Sequence, residues 1–116
     1  MAEFDELCVI LHCDTKQSEQ IIYTMNKELT IEDIQEIVAK DESRYLELKQ
    51  TTGELYKAMT SACAFLNTDG GWVMFGITPK LKIVGQNVTD PTRQEIANSL
   101  RKFEPAIDVP VQYVEI

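Results

Sequence analysis

Residues 42–85 read ESRYLELKQTTGELYKAMTSACAFLNTDGGWVMFGITPKLKIVG, and this run decides the fold. From Ser43 to Lys49 the pattern alternates. Leu46 and Leu48 point one way, and Tyr45, Glu47 and Lys49 the other, as in a half-buried strand. Gly53 breaks that rhythm, and the period becomes helical: Leu55, Met59, Ala62, Cys63 and Leu66 form one apolar face. Asn67-Thr68-Asp69-Gly70-Gly71 stops the helix, because Asn and Gly accept the left-handed backbone that a helix end and a tight turn require. Trp72 to Ile77 is almost wholly apolar and of strand length. That is the pattern of a central strand covered on both faces.

Toward the N-terminus, Thr30-Ile31-Glu32-Asp33 opens a further helix, with Thr30 as cap and Asp33 bonding back in a capping box. Ile31, Ile34, Ile37 and Val38 form its apolar stripe, and Glu32, Asp33 and Glu36 read as a solvated face. The helix ends near Lys40. Residues 1–29 form an acidic leading segment in which Leu7 to Leu11 reads as a short strand, pairing with Ile21-Ile22-Tyr23 across a polar turn. Cys8, His12 and Cys13 match no common zinc spacing and lack a fourth ligand, so they read as structural.

Toward the C-terminus, Pro79 to Lys82 is a polar turn and Ile83-Val84-Gly85 continues the sheet beyond it. Thr89-Asp90-Pro91 is a helix start, a capping oxygen followed by Pro in the first turn. Ile96, Leu100 and Phe103 then face the core, while Arg93, Arg101 and Lys102 project outward. Glu104-Pro105 ends this helix. Val109 to Ile116 alternates as a last strand. The expected fold is α/β or α+β: a small mixed sheet with helices packed on it, spanning residues 30–116.

At 116 residues the chain is one domain with room for a core. No apolar run approaches the roughly 20 residues of a membrane span, and the acidic start MAEFDE is unlike a secretory leader. Three cysteines with no disulfide pattern fit a reducing cytoplasm. The net charge of −8 argues against a simple nucleic-acid binder, but it is unevenly placed. Residues 1–45 hold eleven acids and four bases, net −7, whereas residues 46–116 hold eight acids and seven bases, net −1.

Several stretches together resemble the Schlafen-core or Alba-like DNA-binding domain, widespread in bacterial regulators once called divergent AAA proteins. They are Glu42-Ser43 with Glu47-Leu48-Lys49, then Ser61 to Gly71, then Phe75-Gly76-Ile77, then Ile83-Val84-Gly85. The resemblance implies a nucleic-acid-binding domain that ordinarily continues into a further strand. In the family's nuclease branch, two glutamates matching Glu42 and Glu47 join an aspartate after the central strand. The matching position here is Pro79, with Thr78 before it, so two-thirds of that set is present. ATP binding finds no P-loop to support it.

Three groups of candidate residues follow. Glu42 and Glu47 are weak candidates for a metal-dependent ribonuclease site, with Glu47 pairing to a neighbouring lysine as the alternative. Asn67, Thr68, Gly70 and Gly71 are candidates for a backbone phosphate nest. Lys49, Lys80, Lys82, Arg93 and Arg101 are candidates for phosphate contacts with DNA or RNA. Tyr45, Trp72 and Tyr113 are aromatics placed where a base could stack, though burial is the commoner fate in strands. The expected protein is a non-catalytic binding domain without a cofactor, dimeric through a sheet edge such as Val109 to Ile116. A protein-interaction module is the further alternative.

Overall fold

The computed structural model describes residues 5–13, 28–40, 46–68, 70–103 and 109–116. Strand β1, Asp5–Cys13, alternates through its whole length. Leu7, Val9, Leu11 and Cys13 enter one apolar cluster, and Cys8 and Ile10 enter another on the opposite face. A strand that is apolar on both faces is stable only with layers on both sides. The remaining elements supply them: α1 (Ile31–Ala39), β2 (Leu46–Lys49), a single 3₁₀ turn (Thr52–Glu54), α2 (Leu55–Leu66), β3 (Gly71–Phe75), β4 (Gln86–Val88), α3 (Asp90–Leu100) and β5 (Val111–Glu115).

The five strands make one mixed sheet, and the fold is α+β. β2 runs parallel to β3, with Leu46 opposite Trp72 and Lys49 opposite Phe75. β1 is antiparallel to β3, β4 and β5. Leu7 pairs with both Gln86 and Glu115, and Val9 with both Phe75 and Tyr113. Hence β3 and β4 share one edge of β1, β5 takes the other, and β2, β4 and β5 each have a single strand neighbour. Trp72 to Ile77 was expected at the centre of the sheet. β3 is indeed interior and buried, but β1 is the strand on which three others converge. Ile21-Ile22-Tyr23, the pairing partner expected for β1, lies outside the described residues.

The helices divide between the faces. Ile34 and Val38 of α1 pack with Leu46, Met74, Ile77 and Val114 on one side. Leu55, Ala58, Ala62, Phe65 and Leu66 of α2, with Ile96 of α3, pack on Val73, Phe75 and the odd-numbered residues of β1 on the other. Burying one such aliphatic side chain completely contributes about 1.5–3 kcal/mol. Cys63 was expected on the buried face of α2 but is exposed. Ala58 and Phe65 are buried instead. The helix turns its small residues to the sheet, allowing close approach.

Both anticipated caps form. Thr30 Oγ1 accepts from Asp33 N–H at 3.3 Å while Asp33 Oδ2 accepts from Thr30 N–H at 2.9 Å. At α3, Thr89 Oγ1 accepts from Thr92 N–H at 3.3 Å, with Pro91 in the first turn. Between β3 and β4 the backbone pinches. Gly76 and Gly85 take φ of +96° and +71°, and the N–H groups of Val84 and Gly85 both donate to Gly76 O, at 2.9 and 2.8 Å. A Cβ on Gly76 would stand 3.0 Å from Gly85 Cα, so only glycine fits this crossing.

Candidate nucleic-acid interface

The pinch positions a small cationic corner. Gly76 N–H donates to Lys49 O at 2.9 Å and Ile77 N–H to the same oxygen at 3.3 Å, so the end of β2 sits at the root of the β3–β4 connection. Ile77 and Ile83 bridge across its two legs. Thr78 then closes the tip. Its N–H donates to Lys82 O at 2.9 Å, its O accepts from Leu81 N–H at 2.9 Å, and its Oγ1 accepts from Lys82 N–H at 3.1 Å. Thr-Pro at the start of the turn is apt, because Pro is pre-set for a turn and the Thr hydroxyl can bond the backbone beyond it. Lys80, Leu81 and Lys82 are exposed on this tip, and Leu81 holds a left-handed φ of +66°.

The other expected cations differ in their surroundings. Lys49 Nζ lies 3.0 Å from Glu47 Oε1, with the lysine side chain 17% exposed and the glutamate 33%. Alternation puts both on the same face of β2, and the pair satisfies itself. A phosphate at Lys49 must compete with Glu47. Arg93 and Arg101 are exposed on α3 and just beyond it. The Arg93 guanidinium lies 3.9 Å from the centre of the Tyr113 ring, and Arg101 Nη1 donates to Asn98 Oδ1 at 2.8 Å. Burial pushes the Tyr113 hydroxyl pKa up, against the lowering field of Arg93.

The helix-to-strand turn uses its donors inward. Asn67 N–H donates to Cys63 O at 3.1 Å, Thr68 N–H to Phe65 O at 3.1 Å and Gly70 N–H to Phe65 O at 2.9 Å. Asn67 Nδ2 and Thr68 Oγ1 also bond the last helical carbonyls, at 2.9 and 2.8 Å. Three of the four candidate nest N–H groups are therefore already engaged. They also sit at a helix C-terminus, where the helix dipole repels an anion. Gly71 serves packing: a Cβ there would meet the Phe65 ring at 2.8 Å. The geometry is that of a tight turn and replaces the nest expectation.

Glu42 and Tyr45 lie outside the described residues. Pro79 is exposed in the turn and offers no carboxylate. Among the described residues no three His, Cys, Asp or Glu side chains gather to hold a metal ion. Alternation along β1 places Cys8 and Cys13 on opposite faces, so they cannot share one ion. His12 and Trp72 stack with ring centroids 4.0 Å apart and planes 5° from parallel, and Trp72 packs against the α1-side core. Neither Trp72 nor Tyr113 is an open base platform. Sequence reasoning missed Tyr56, the most exposed aromatic among the described residues, at 88% exposure. Its only signal was a position off the apolar stripe of α2.

The family model described as Schlafen, AlbA_2 matches residues 42–116. The chain belongs to the Schlafen AlbA_2 family. The match takes in β2 to β5, the pinched β3–β4 connection and the cations just described. No curated protein and no solved structure matches the chain.

Proposed function

We propose that this Schlafen AlbA_2 chain is a non-catalytic nucleic-acid-binding domain that grips DNA or RNA by its phosphates. The observation that carries the reading is Lys80 and Lys82 exposed on a turn locked by three hydrogen bonds. A rigid cationic tip loses little freedom on meeting a phosphate, and phosphates supply most sequence-independent affinity. Arg93 and Arg101 extend the contact along α3. Lys49 enters only if the phosphate displaces Glu47. A place in a bacterial cytoplasmic transcriptional regulator is the wider setting we propose. Homodimerisation through a sheet edge, with β2, β4 or β5 as the strands that have one neighbour, would give such a regulator two grips on one duplex.

The ribonuclease alternative draws no support from Glu47, whose charge is balanced by Lys49 at 3.0 Å. Gel-shift titration of labelled duplex DNA and single-stranded RNA at low and moderate salt tests the proposal. Binding at low salt that is lost in the Lys80→Glu, Lys82→Glu double variant is expected. No binding at low salt, or an unaffected double variant, overturns it.

A further inference from the structure

α2 and α3 lie on the same face of the sheet, with a groove of about 680 Å³ lined by both. Leu55, Met59 and Phe103 are buried or half-buried in its lining. Tyr56 and Cys63 are exposed on one wall, Glu95 and Lys102 on the other. The placement follows from helical spacing: positions 56 and 63 are two turns apart on α2, and 95 and 102 are two turns apart across α3 and its final turn, about 10 Å at 1.5 Å per residue. Among the described residues neither Glu95 nor Lys102 has an ion-pair partner.

We infer that this groove is the docking face for a second copy of the chain, related by a two-fold axis across the groove. The charges point to that occupant. One wall carries an acid and a base two turns apart. A phosphodiester backbone would meet Glu95 with like charge. An antiparallel copy sets Glu95 against Lys102 of the other chain and Lys102 against its Glu95, the self-complementarity that a two-fold interface requires. Tyr56 then leaves water for the apolar floor opposite, in the anchoring role aromatic residues commonly fill at interfaces. This pairing uses the helical face and leaves the edge strands β2, β4 and β5 uncovered. It is independent of nucleic-acid binding.

Sedimentation velocity from micromolar to millimolar chain concentration, with charge-reversal variants, tests it. Glu95→Lys and Lys102→Glu should each weaken dimerisation by roughly tenfold or more, because each brings two like charges together at two symmetric contacts. The combined swap should restore it. Tyr56→Ala should weaken it without changing the circular dichroism spectrum, since the ring is 88% exposed in one chain. A short bis-maleimide should join two chains at Cys63, whose thiol alone of the three is exposed, and Cys63→Ser should abolish the product. A chain that stays monomeric to millimolar concentration overturns the inference. So does a dimer indifferent to both single reversals, which would point to the sheet edge instead.

Discussion

Single residues carry two of the less obvious costs in this protein. Leu81 sits at φ +66° with its side chain 43% exposed, so it holds a strained backbone for little burial in return. Left-handed backbone costs an L-residue about 1–2 kcal/mol, and glycine is free of that penalty. Leu81→Gly should therefore raise stability, by about 0.5–1 kcal/mol once glycine's greater unfolded freedom is counted. Urea unfolding measures it. A destabilised variant would show that Leu81 packs against something the backbone strain serves. At the same scale, burial pushes the thiols of Cys8 and Cys13 up to about 11 and about 12. A group whose folded pKa is raised keeps its contribution below the unfolded value, near 9 for a thiol, and loses it as pH climbs toward the folded one. Stability should be flat in this respect to about pH 8.5 and fall above pH 9. Unfolding in urea across that range checks the slope, and substitution of both cysteines by alanine should flatten it. With Ellman's reagent on the folded chain, Cys63 should react promptly and the other two only on unfolding.

At the scale of elements, one buried side chain ties β4 to the 3₁₀ turn that precedes α2. Gln86 is buried, and its Oε1 accepts from Thr52 N–H at 2.8 Å while its Nε2 donates to Thr52 Oγ1 at 3.0 Å. Gln86→Leu keeps the bulk but orphans both Thr52 groups, which should cost about 1–3 kcal/mol. The same urea measurement tests it, and a cost below about 0.5 kcal/mol would mean that water substitutes freely. The turn that follows β3 belongs here too. Pro79 stands where the nuclease branch of the resembled family has an acid, so Pro79→Asp is the direct way to ask whether one missing carboxylate silences a metal site. With Glu47 held by Lys49, the expectation is no gain of Mn²⁺-dependent RNA cleavage. Cleavage that appears in the variant and vanishes with Glu47→Ala would reverse that reading.

The whole molecule sets how strongly the cationic corner can act. The chain carries −8, and residues 1–45 account for −7 of it. Glu32 and Glu36 on α1 are exposed, on the face of the sheet opposite α2 and α3. Four exposed cations, Lys80, Lys82, Arg93 and Arg101, can neutralise at most four phosphates. The slope of log affinity against log salt should then be no steeper than about −3.6 on duplex DNA, at roughly −0.9 per phosphate. Fluorescence anisotropy across a salt series measures it. A steeper slope would mean that cations beyond these four take part.

Local chemistry was legible where it acts over a few residues. The capping box at Thr30, the cap at Thr89, the alternation of Leu46 with Glu47 and Leu48 with Lys49, and the stop after Leu66 all follow from hydrogen-bond offsets and side-chain period. The mixed-sheet fold class followed from their order along the chain. What depended on distant segments meeting was not legible. Periodicity showed that β1 is a strand but not that β3, β4 and β5 would all converge on it, because a strand's pattern records burial and not the identity of its neighbours. It put Cys63 inward and left out Phe65, because a helix of small residues has a broad apolar face and only the sheet beneath selects which part is covered. It offered Asn67 to Gly71 as a phosphate nest, because only the fold shows those N–H groups turned back onto the helix. The sequence alone determined the helices, their caps and four of the strands, but it placed the remaining strand at Ile83 to Gly85, where the chain makes only the Ile77–Ile83 bridge and the pinch at Gly85 before β4 begins at Gln86. The tertiary structure decided which donors, cations and apolar faces remained available to a partner, because availability is what packing leaves over.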